Sequence, residues 1–371
     1  MESMAALAEE SKLYPQEKMA PIKQTNRSLN IGLPKENSTY ENRVALTPKA
    51  VETLTSFGHK VKMQSGTGDP SNFSDDEYAN AGANLTGSAE EVFKSDLILK
   101  VEFPTAQEIE MMINGKTIIS TIHAQNDLHQ RLNQLNQKRI TAIGYEYIED
   151  RVGGLPIVRA MSEIAGAAAI PIAANYLSAD QGGIGTLLGG ITGVPPTNVV
   201  IIGAGTVAEH AARTAIGLGA NVKVFDHHLY KLHRLKHILS MSVFTSTIDR
   251  VALKKALEEA DVVIGAVRAD KGVMRKVVSA DMVQSMKKSA ILIDVSIDEG
   301  GCFETSVPTH LKEPTFEKYG VRHYCVPNIA SKFPRTSTKV LSNIFTPILN
   351  GISSHGGVDQ MIFENKWFMK G

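Results

Sequence analysis

The most specific arrangement in the sequence is a glycine-rich turn between an apolar strand and a helix. Residues 199–202 read VVII, and the turn that follows reads Gly203-x-Gly205-x-x-Ala208. Gly203 permits a tight turn, Gly205 lets the backbone approach a phosphate, and Ala208 is small enough for close helix–strand contact. The first N–H groups of the helix are free to bind phosphate oxygens. The pattern predicts a dinucleotide site.

An acidic residue follows this turn at the spacing that a dinucleotide site requires. Asp226 ends the next predicted strand, 21 residues after Gly205, where a carboxylate accepts hydrogen bonds from the adenosine ribose. It favours NAD over NADP, because it would repel a 2′-phosphate. His227 and His228 weaken that preference, since either could be cationic beside a phosphate. The alternative interpretation is a structural turn followed by an ordinary strand-end aspartate.

Three other side chains could do chemistry. His123 follows the apolar run 118–122, and Asp298 follows 292–295 and precedes a glycine pair. Ligands of parallel α/β sheets bind at such strand ends. The planar guanidinium of Arg43 suits a substrate carboxylate. By residue type alone, however, Arg43 could be a solvated surface cation, His123 a hydrogen-bonded core histidine and Asp298 an ordinary turn residue.

Strands and helices alternate in two series along the chain. The first series has predicted strands at 29–33, 60–64, 97–101, 117–120 and 140–143, and the second at 198–202, 221–225, 262–267 and 290–295. A small-residue helix at 162–177 separates them, and a helix at about 336–352 follows the second series. We expect an α/β protein with two doubly wound parallel-sheet domains. The last helix should pack on the first domain, making that domain discontinuous.

Composition excludes several function classes. Lys+Arg and Asp+Glu both total 39 among 371 residues, so we expect no general affinity for nucleic acid or for an anionic membrane. The two cysteines are too few for a disulfide framework or a cysteine metal site, and they fit a cytoplasmic setting. We expect no metal and no membrane span. The uncharged stretch 181–208 is long enough to span, but its glycines and proline pair make a poor spanning helix.

Several further segments resemble the alanine dehydrogenase and nicotinamide nucleotide transhydrogenase family. In chain order they are 31–36 (IGLPKE), 41–48 (ENRVALTP), 97–101 (LILKV), 161–166 (MSEIAG), the Gly203 turn, 293–302 (IDVSIDEGGC), 323–328 (HYCVPN) and 334–338 (PRTST). The sequence is more similar to the amino-acid dehydrogenase branch. Transhydrogenase alpha subunits lack a histidine at the position of His123, and they lack the Met-Ser-Glu motif of 161–163 and the Ile-Asp-x-Gly-Gly-Cys motif of 297–302.

The resemblance implies an NAD-dependent oxidoreductase that deaminates L-alanine to pyruvate and ammonia, with a role in amino-acid catabolism and a homohexameric assembly. It implies a discontinuous substrate domain (29–156 and 335–371) and an inserted Rossmann domain (157–334). Residues 1–28 carry acids and bases throughout and lack the apolar region of a signal peptide, so we expect them to be an exposed N-terminal extension. Arg43 would clamp the substrate carboxylate, and His123 and Asp298 would exchange protons and activate water. The residues implied to line the NAD site are Ser162, Gly203, Gly205, Ala208, Asp226, Lys231, Val267 and Asn328.

The sequence departs from the family pattern at the substrate site. Where family alanine dehydrogenases carry a second substrate-binding lysine, this chain has Glu102, and Lys100 lies two residues before it. Lys100 could neutralise Glu102. Three hypotheses remain: an alanine dehydrogenase with a modified pocket, a related dehydrogenase for a cationic amino acid, and a nucleotide-binding module without amino-acid chemistry. Retention of His123 and Asp298 argues against the third.

Overall fold

The computed structural model describes residues 27–38, 40–122, 127–268 and 276–371, and its strands form two sheets. The first sheet contains β1 (Asn30–Leu33), β2 (Lys60–Gln64), β3 (Asn84–Thr86), β4 (Leu97–Leu99), β5 (Thr117–Ser120) and β6 (Thr141–Gly144). The second contains β7 (Asn198–Ile202), β8 (Asn221–Asp226), β9 (Phe244–Thr247), β10 (Val262–Gly265), β11 (Ile291–Asp294), β12 (Thr315–Lys318) and β13 (Val321–Tyr324).

Helices cover these sheets. They are α1 (Pro48–Ser56), α2 (Asp75–Asn80), α3 (Ala89–Phe93), α4 (Ala106–Met111), α5 (Leu128–Gln137), α6 (Pro156–Leu177), α7 (Thr206–Gly217), α8 (Leu229–Leu239), α9 (Arg250–Glu258), α10 (Ala280–Gln284), α11 (Pro334–Ser354) and α12 (Val358–Glu364).

Both sheets are wound in the same manner. The strand order is β3-β2-β1-β4-β5-β6 in the first and β12-β13-β11-β10-β7-β8-β9 in the second. All neighbouring strands are parallel except β12 and β13, which pair antiparallel at one edge. Among the parallel strands each order reverses direction once, between β1 and β4 in the first sheet and between β7 and β10 in the second. Ligands of such folds bind beyond the carboxyl ends of the strands at this reversal.

The predicted α/β class with two parallel-dominated sheets is confirmed. Four short strands were missed, namely β3, β9, β12 and β13. The helix predicted at 162–177 begins six residues earlier, at Pro156, whose fixed φ suits the first helical position. Thr47 caps α1 by accepting a hydrogen bond from the N–H of Ala50.

Two packing contacts bring together helices and strands that are far apart in the chain. Helix α6 approaches α7 so closely that a Cβ at Gly166 would lie 2.3 Å from the carbonyl oxygen of Val207. Helix α11 contributes Leu341, Phe345 and Leu349 to the core of the first sheet, although it follows the second. Among the described residues one helix, α6, is long and apolar enough to cross a membrane, and 44% of its most apolar window is buried inside the protein.

Candidate active site

The glycine turn follows β7, where the strand order of the second sheet reverses. It is tightly packed at Gly203 and open at Gly205. Gly203 has φ +110°, and a Cβ there would lie 2.2 Å from the carbonyl oxygen of Ala266. A Cβ at Gly205 would meet no atom within 4 Å. Gly205 precedes α7 and provides no side-chain cap for its N–H groups, and Ala208 is fully buried. The turn therefore leaves an open backbone cradle at a helix N-terminus, which suits a pyrophosphate.

Asp226 faces this turn from the end of β8. Its Oδ2 accepts a hydrogen bond from the N–H of Ala204 (2.7 Å), and its Oδ1 accepts one from the N–H of His228 (2.7 Å). The Nδ1 of His228 lies 3.2 Å from the same Oδ1. A carboxylate has about four acceptor positions, so Asp226 retains capacity for a ribose hydroxyl. Its position beside the glycine turn suits the predicted role.

Other residues implied for the dinucleotide site lie on elements near β7 and β8. Lys231 lies in the first turn of α8, and its N–H donates to the carbonyl oxygen of His228 (3.1 Å). Val267 follows β10 and is half-buried, with its backbone nitrogen 3.2 Å from the position that a Cβ at Gly203 would take. Ser162 is half-buried on α6. Their roles remain predictions.

Where the strand order of the first sheet reverses, between β1 and β4, the structure has buried ion pairs and no comparable glycine turn among the described residues. Lys100, directly after β4, is 1% exposed, and its Nζ lies 2.6 Å from Glu36 and 3.6 Å from Glu108. Burial acts to lower the pKa of Lys100, but the two carboxylates outweigh it and raise that pKa. Lys100 therefore stays charged and is held by Glu36 and Glu108. It makes no ion pair with Glu102 among the described residues.

Arg43 is buried, so the interpretation as a surface cation is wrong. Its Nε donates to Oε1 of Glu41 (2.8 Å) and its Nη2 to Oε2 (2.6 Å), a bidentate pair, while its Nη1 lies 3.3 Å from the sulfur of Met161. Burial acts to raise the pKa of Glu41, but the guanidinium outweighs it and lowers that pKa. Both groups are therefore charged at neutral pH, and the Nη1 side of Arg43 faces away from Glu41.

Glu102 is a carboxylate of this site that has no partner among the described residues. Its backbone N–H donates to Glu36 (3.2 Å), but its own carboxylate has no hydrogen bond or ion pair within the described ranges. Burial, reinforced by the charges of Glu41 and Glu36, raises the pKa of Glu102 to about 7. The side chain is half-buried. An acid of this kind changes charge across the physiological pH range.

Hydrogen bonds connect this site to residues that follow strands of the second sheet. Asp298 lies in a short 3-10 helix after β11, and its Oδ1 accepts a hydrogen bond from the N–H of Asn328 (2.9 Å). The side-chain amide of Asn328 donates to Oε2 of Glu41 (2.9 Å). Asp298 and Arg43 thus belong to one hydrogen-bonded chain of residues. The sequence alone assigned no role to Glu41, although its position two residues before Arg43 was an available signal.

His123 lies outside the described residues, so its predicted approach to Asp298 remains a prediction. Strand β5 ends at Ser120, three residues before His123. The N–H of Ile122 donates to Oε1 of Glu146 (2.6 Å). Oε2 of Glu146 is buried without a partner among the described residues. Cys302 and Cys325 are both free and buried.

Comparison with known proteins identifies the family. The N-terminal domain of alanine dehydrogenase/PNT matches residues 32–165, and the C-terminal domain of the same family matches residues 169–371. The chain belongs to the alanine dehydrogenase/PNT family. This confirms the resemblance found from the motifs.

Relatives within the family favour its alanine dehydrogenase branch. The chain is 40% identical to the alanine dehydrogenase of Methanococcus maripaludis over 92% of its length and 91% of that protein. It is 39% identical to that of Mycobacterium tuberculosis over 88% of both chains. A solved L-alanine dehydrogenase matches with a TM-score of 0.85 and 35% identity, covering 92% of this chain and 94% of the other. A transhydrogenase from Sinorhizobium meliloti shares the fold at 23% identity and a TM-score of 0.78, covering 90% and 95% of the two chains.

Proposed function

We propose that this protein is an NAD-dependent L-alanine dehydrogenase, converting L-alanine, NAD⁺ and water to pyruvate, ammonium, NADH and a proton. The observation that carries the proposal is the hydrogen-bonded path from Asp298 through Asn328 and Glu41 to Arg43. This path supports the proposal because it joins Arg43, which would bind the substrate carboxylate, to Asp298, which would act as the acid/base. Close similarity to alanine dehydrogenases over most of the chain supports the same activity.

The residues present fit a bound dinucleotide. The open cradle at Gly205 and the uncapped N-terminus of α7 would hold the pyrophosphate, and Asp226 would accept a ribose hydroxyl. When bound, NAD⁺ supplies the acceptor for the hydride from the substrate Cα. The negative charge of Asp226 favours NAD over NADP, because it repels a 2′-phosphate.

The chain's own residues would bind the substrate and move protons. Arg43 would bind the carboxylate through its Nη1 side, which faces the weak acceptor Met161 and not Glu41. His123 would exchange a proton with the amine, and Asp298 would activate water for attack on the iminium carbon. Pyruvate and ammonium are then released. Glu102 and Lys100 would shape the charge of the pocket, Glu102 directly and Lys100 by holding Glu36.

Reductive amination tests the proposal. Purified protein, NADH, ammonium and pyruvate should consume NADH, as followed by absorbance, and L-alanine should reduce NAD⁺ in the reverse direction. Absence of turnover with any 2-oxo acid, despite NADH binding, would support the third hypothesis, a nucleotide-binding module without amino-acid chemistry.

A cationic amino acid is the second candidate substrate, because Glu102 lacks a partner among the described residues. A distal ammonium or guanidinium would provide one. The same assay with L-lysine, L-ornithine and L-arginine separates the candidates. A higher kcat/KM for any of these than for L-alanine would favour the second.

The remaining proposals concern organisation. We propose a substrate domain of 29–156 and 335–371 with a Rossmann domain of 157–334 inserted, supported by the packing of α11 on the first core. A homo-oligomer, a hexamer by resemblance, is supported by exposed apolar side chains at Ile184, Leu187, Ile191 and Val194. A cytoplasmic location is supported by the two free cysteines.

A further inference from the structure

The carboxylate of Glu41 is fully buried and joins the two halves of the active site. Its Oε1 accepts hydrogen bonds from the backbone N–H of Arg43 (2.9 Å), from Arg43 Nε (2.8 Å) and from Ser331 Oγ (3.2 Å). Its Oε2 accepts from Arg43 Nη2 (2.6 Å) and Asn328 Nδ2 (2.9 Å). Arg43 follows the first sheet's β1, whereas Asn328 and Ser331 follow β13 of the second.

We propose that Glu41 is a positioning residue that fixes the substrate-binding side of Arg43 and holds it at a set distance from Asp298. The inference deepens the proposed function and rests on it. We call the linked residues Arg43, Glu41, Asn328 and Asp298 the Glu41 bridge.

The first part of the argument concerns the orientation of Arg43. A guanidinium has five N–H donors in a fixed fork. Glu41 uses Nε and one hydrogen of Nη2, which leaves both hydrogens of Nη1 and the second of Nη2 on the far side. Nη1 faces only the sulfur of Met161 at 3.3 Å among the contacts described, a weak acceptor. A substrate carboxylate can replace that contact and bind end-on.

The second part concerns distance. Asn328 has a left-handed backbone (φ 54°), and its two donors point to different partners: the N–H to Asp298 and the side-chain amide to Glu41. A single residue therefore sets the spacing between the group that binds the carboxylate and the acid/base candidate. A shift of either group breaks one of these two hydrogen bonds, and a misplacement of about 1 Å is enough to slow a reaction markedly.

The test is a double-mutant cycle in the NADH-dependent reduction of pyruvate. Glu41→Gln keeps the size and removes the charge, and Asn328→Gly keeps the left-handed backbone while removing the amide. Glu41→Gln should raise KM for pyruvate by about tenfold or more, and Asn328→Gly should lower kcat by about tenfold. The double variant should lose much less kcat/KM than the product of the losses in the two single variants, because both changes break the same bridge.

Asn72→Gly is the matched control. It makes the same substitution at another left-handed asparagine (φ 56°), in an exposed loop outside the site. It should leave kcat and KM unchanged. Multiplicative effects of the two bridge variants, or a wild-type KM for Glu41→Gln, would overturn the proposal.

A second readout does not depend on turnover. The rate at which phenylglyoxal modifies Arg43, measured by mass spectrometry of the folded protein, should be at least about threefold higher in Glu41→Gln than in wild type and Asn72→Gly, because Glu41 occupies two of its nitrogens. Equal rates overturn the proposal even where pyruvate is not a substrate. If wild type reduces no 2-oxo acid but the rates differ, the proposed function fails and the positioning of Arg43 stands.

Discussion

At the scale of single residues, Glu102 is the group that would make the proposed substrate pocket respond to pH, because its pKa is raised to about 7. An ionised Glu102 about 4 Å from a substrate carboxylate would repel it by roughly 4 kcal/mol at an effective dielectric of 20, which is about a thousandfold in affinity. The neighbouring cations do not remove this charge by direct pairing, because Lys100 is paired with Glu36 and Arg43 with Glu41. The raised pKa of Glu102 instead lets a proton do so near neutral pH.

We therefore predict that pyruvate binds better below pH 7 than above it. Since burial raises the pKa of Glu102 to about 7, the acid is mostly neutral at pH 6 and mostly charged at pH 8. KM for pyruvate should rise with pH, by up to about tenfold per unit above 7. Glu102→Lys should lower KM and remove this dependence.

Glu102→Gln is the control, because it is neutral at every pH and similar in size. Steady-state kinetics of all three proteins from pH 6 to 8.5, at low and high salt, separate Glu102 from other titrating groups. If Glu102→Gln keeps the wild-type pH dependence, or if Glu102→Lys only weakens pyruvate binding, Glu102 does not act on the substrate carboxylate.

Asp226 carries the second prediction at this scale. Its carboxylate lies beside the glycine turn and would repel a 2′-phosphate, so wild type should bind NAD more tightly than NADP. Asp226→Asn removes the charge. It should lower the ratio of the NADP dissociation constant to the NAD dissociation constant by about tenfold. Isothermal titration calorimetry with both dinucleotides measures it. A wild-type preference for NADP would contradict the assigned role.

At the scale of elements, the two glycines of the turn between β7 and α7 differ in the space that a Cβ would have, and we expect their alanine variants to differ accordingly. Gly205→Ala should leave the melting temperature within about 2 °C of wild type, because the new Cβ meets no atom within 4 Å. It should weaken NAD binding by about tenfold or more, because the Cβ fills the space for the pyrophosphate. Gly203→Ala should instead destabilise the fold, since its φ is +110° and its Cβ would lie 2.2 Å from a carbonyl oxygen.

Gly217→Ala is the matched control for Gly205→Ala. Gly217 ends the same helix, and a Cβ there also meets nothing within 4 Å. It should leave both NAD affinity and stability near wild type or raise stability slightly through helix propensity. Equal NAD affinities for both alanine variants would argue against a phosphate cradle at Gly205.

The elements also show what the sequence could and could not predict. β7 and β5 were predicted to the residue because consecutive β-branched apolar residues with clear breaks on either side define them. β3 and β12 were missed, since NLT and TFEK are short, polar edge segments whose strand state depends on pairing with a neighbour. The Glu41 contact to Asn328 was beyond sequence reasoning for a related cause: the residues lie 287 positions apart, and only the tertiary fold brings them together.

At the scale of the whole molecule, the two proposed sites lie at equivalent places in two similar sheets. The strand order reverses between β1 and β4, next to Arg43 and Glu102, and between β7 and β10, next to Gly203 and Asp226. Asn328 and Ser331 connect the second sheet to Glu41 at the first. Under the proposed function, the second sheet would bind the dinucleotide, the first would bind the substrate, and the residues that join Asn328 to Glu41 would complete the reaction centre.

The last prediction concerns self-association through the loop that follows α6. Ile184, Leu187, Ile191 and Val194 are all more than half exposed within eleven residues, an apolar patch that an isolated protomer leaves in water. We expect wild type to sediment as an oligomer. Leu187→Glu combined with Ile191→Glu should reduce the mass towards that of a protomer, because burying unpaired carboxylates in an interface is unfavourable. Phe363→Glu, at an exposed apolar position on α12, is the control and should leave the mass unchanged. A monomeric wild type, or a double variant of unchanged mass, would show that this patch does not join protomers.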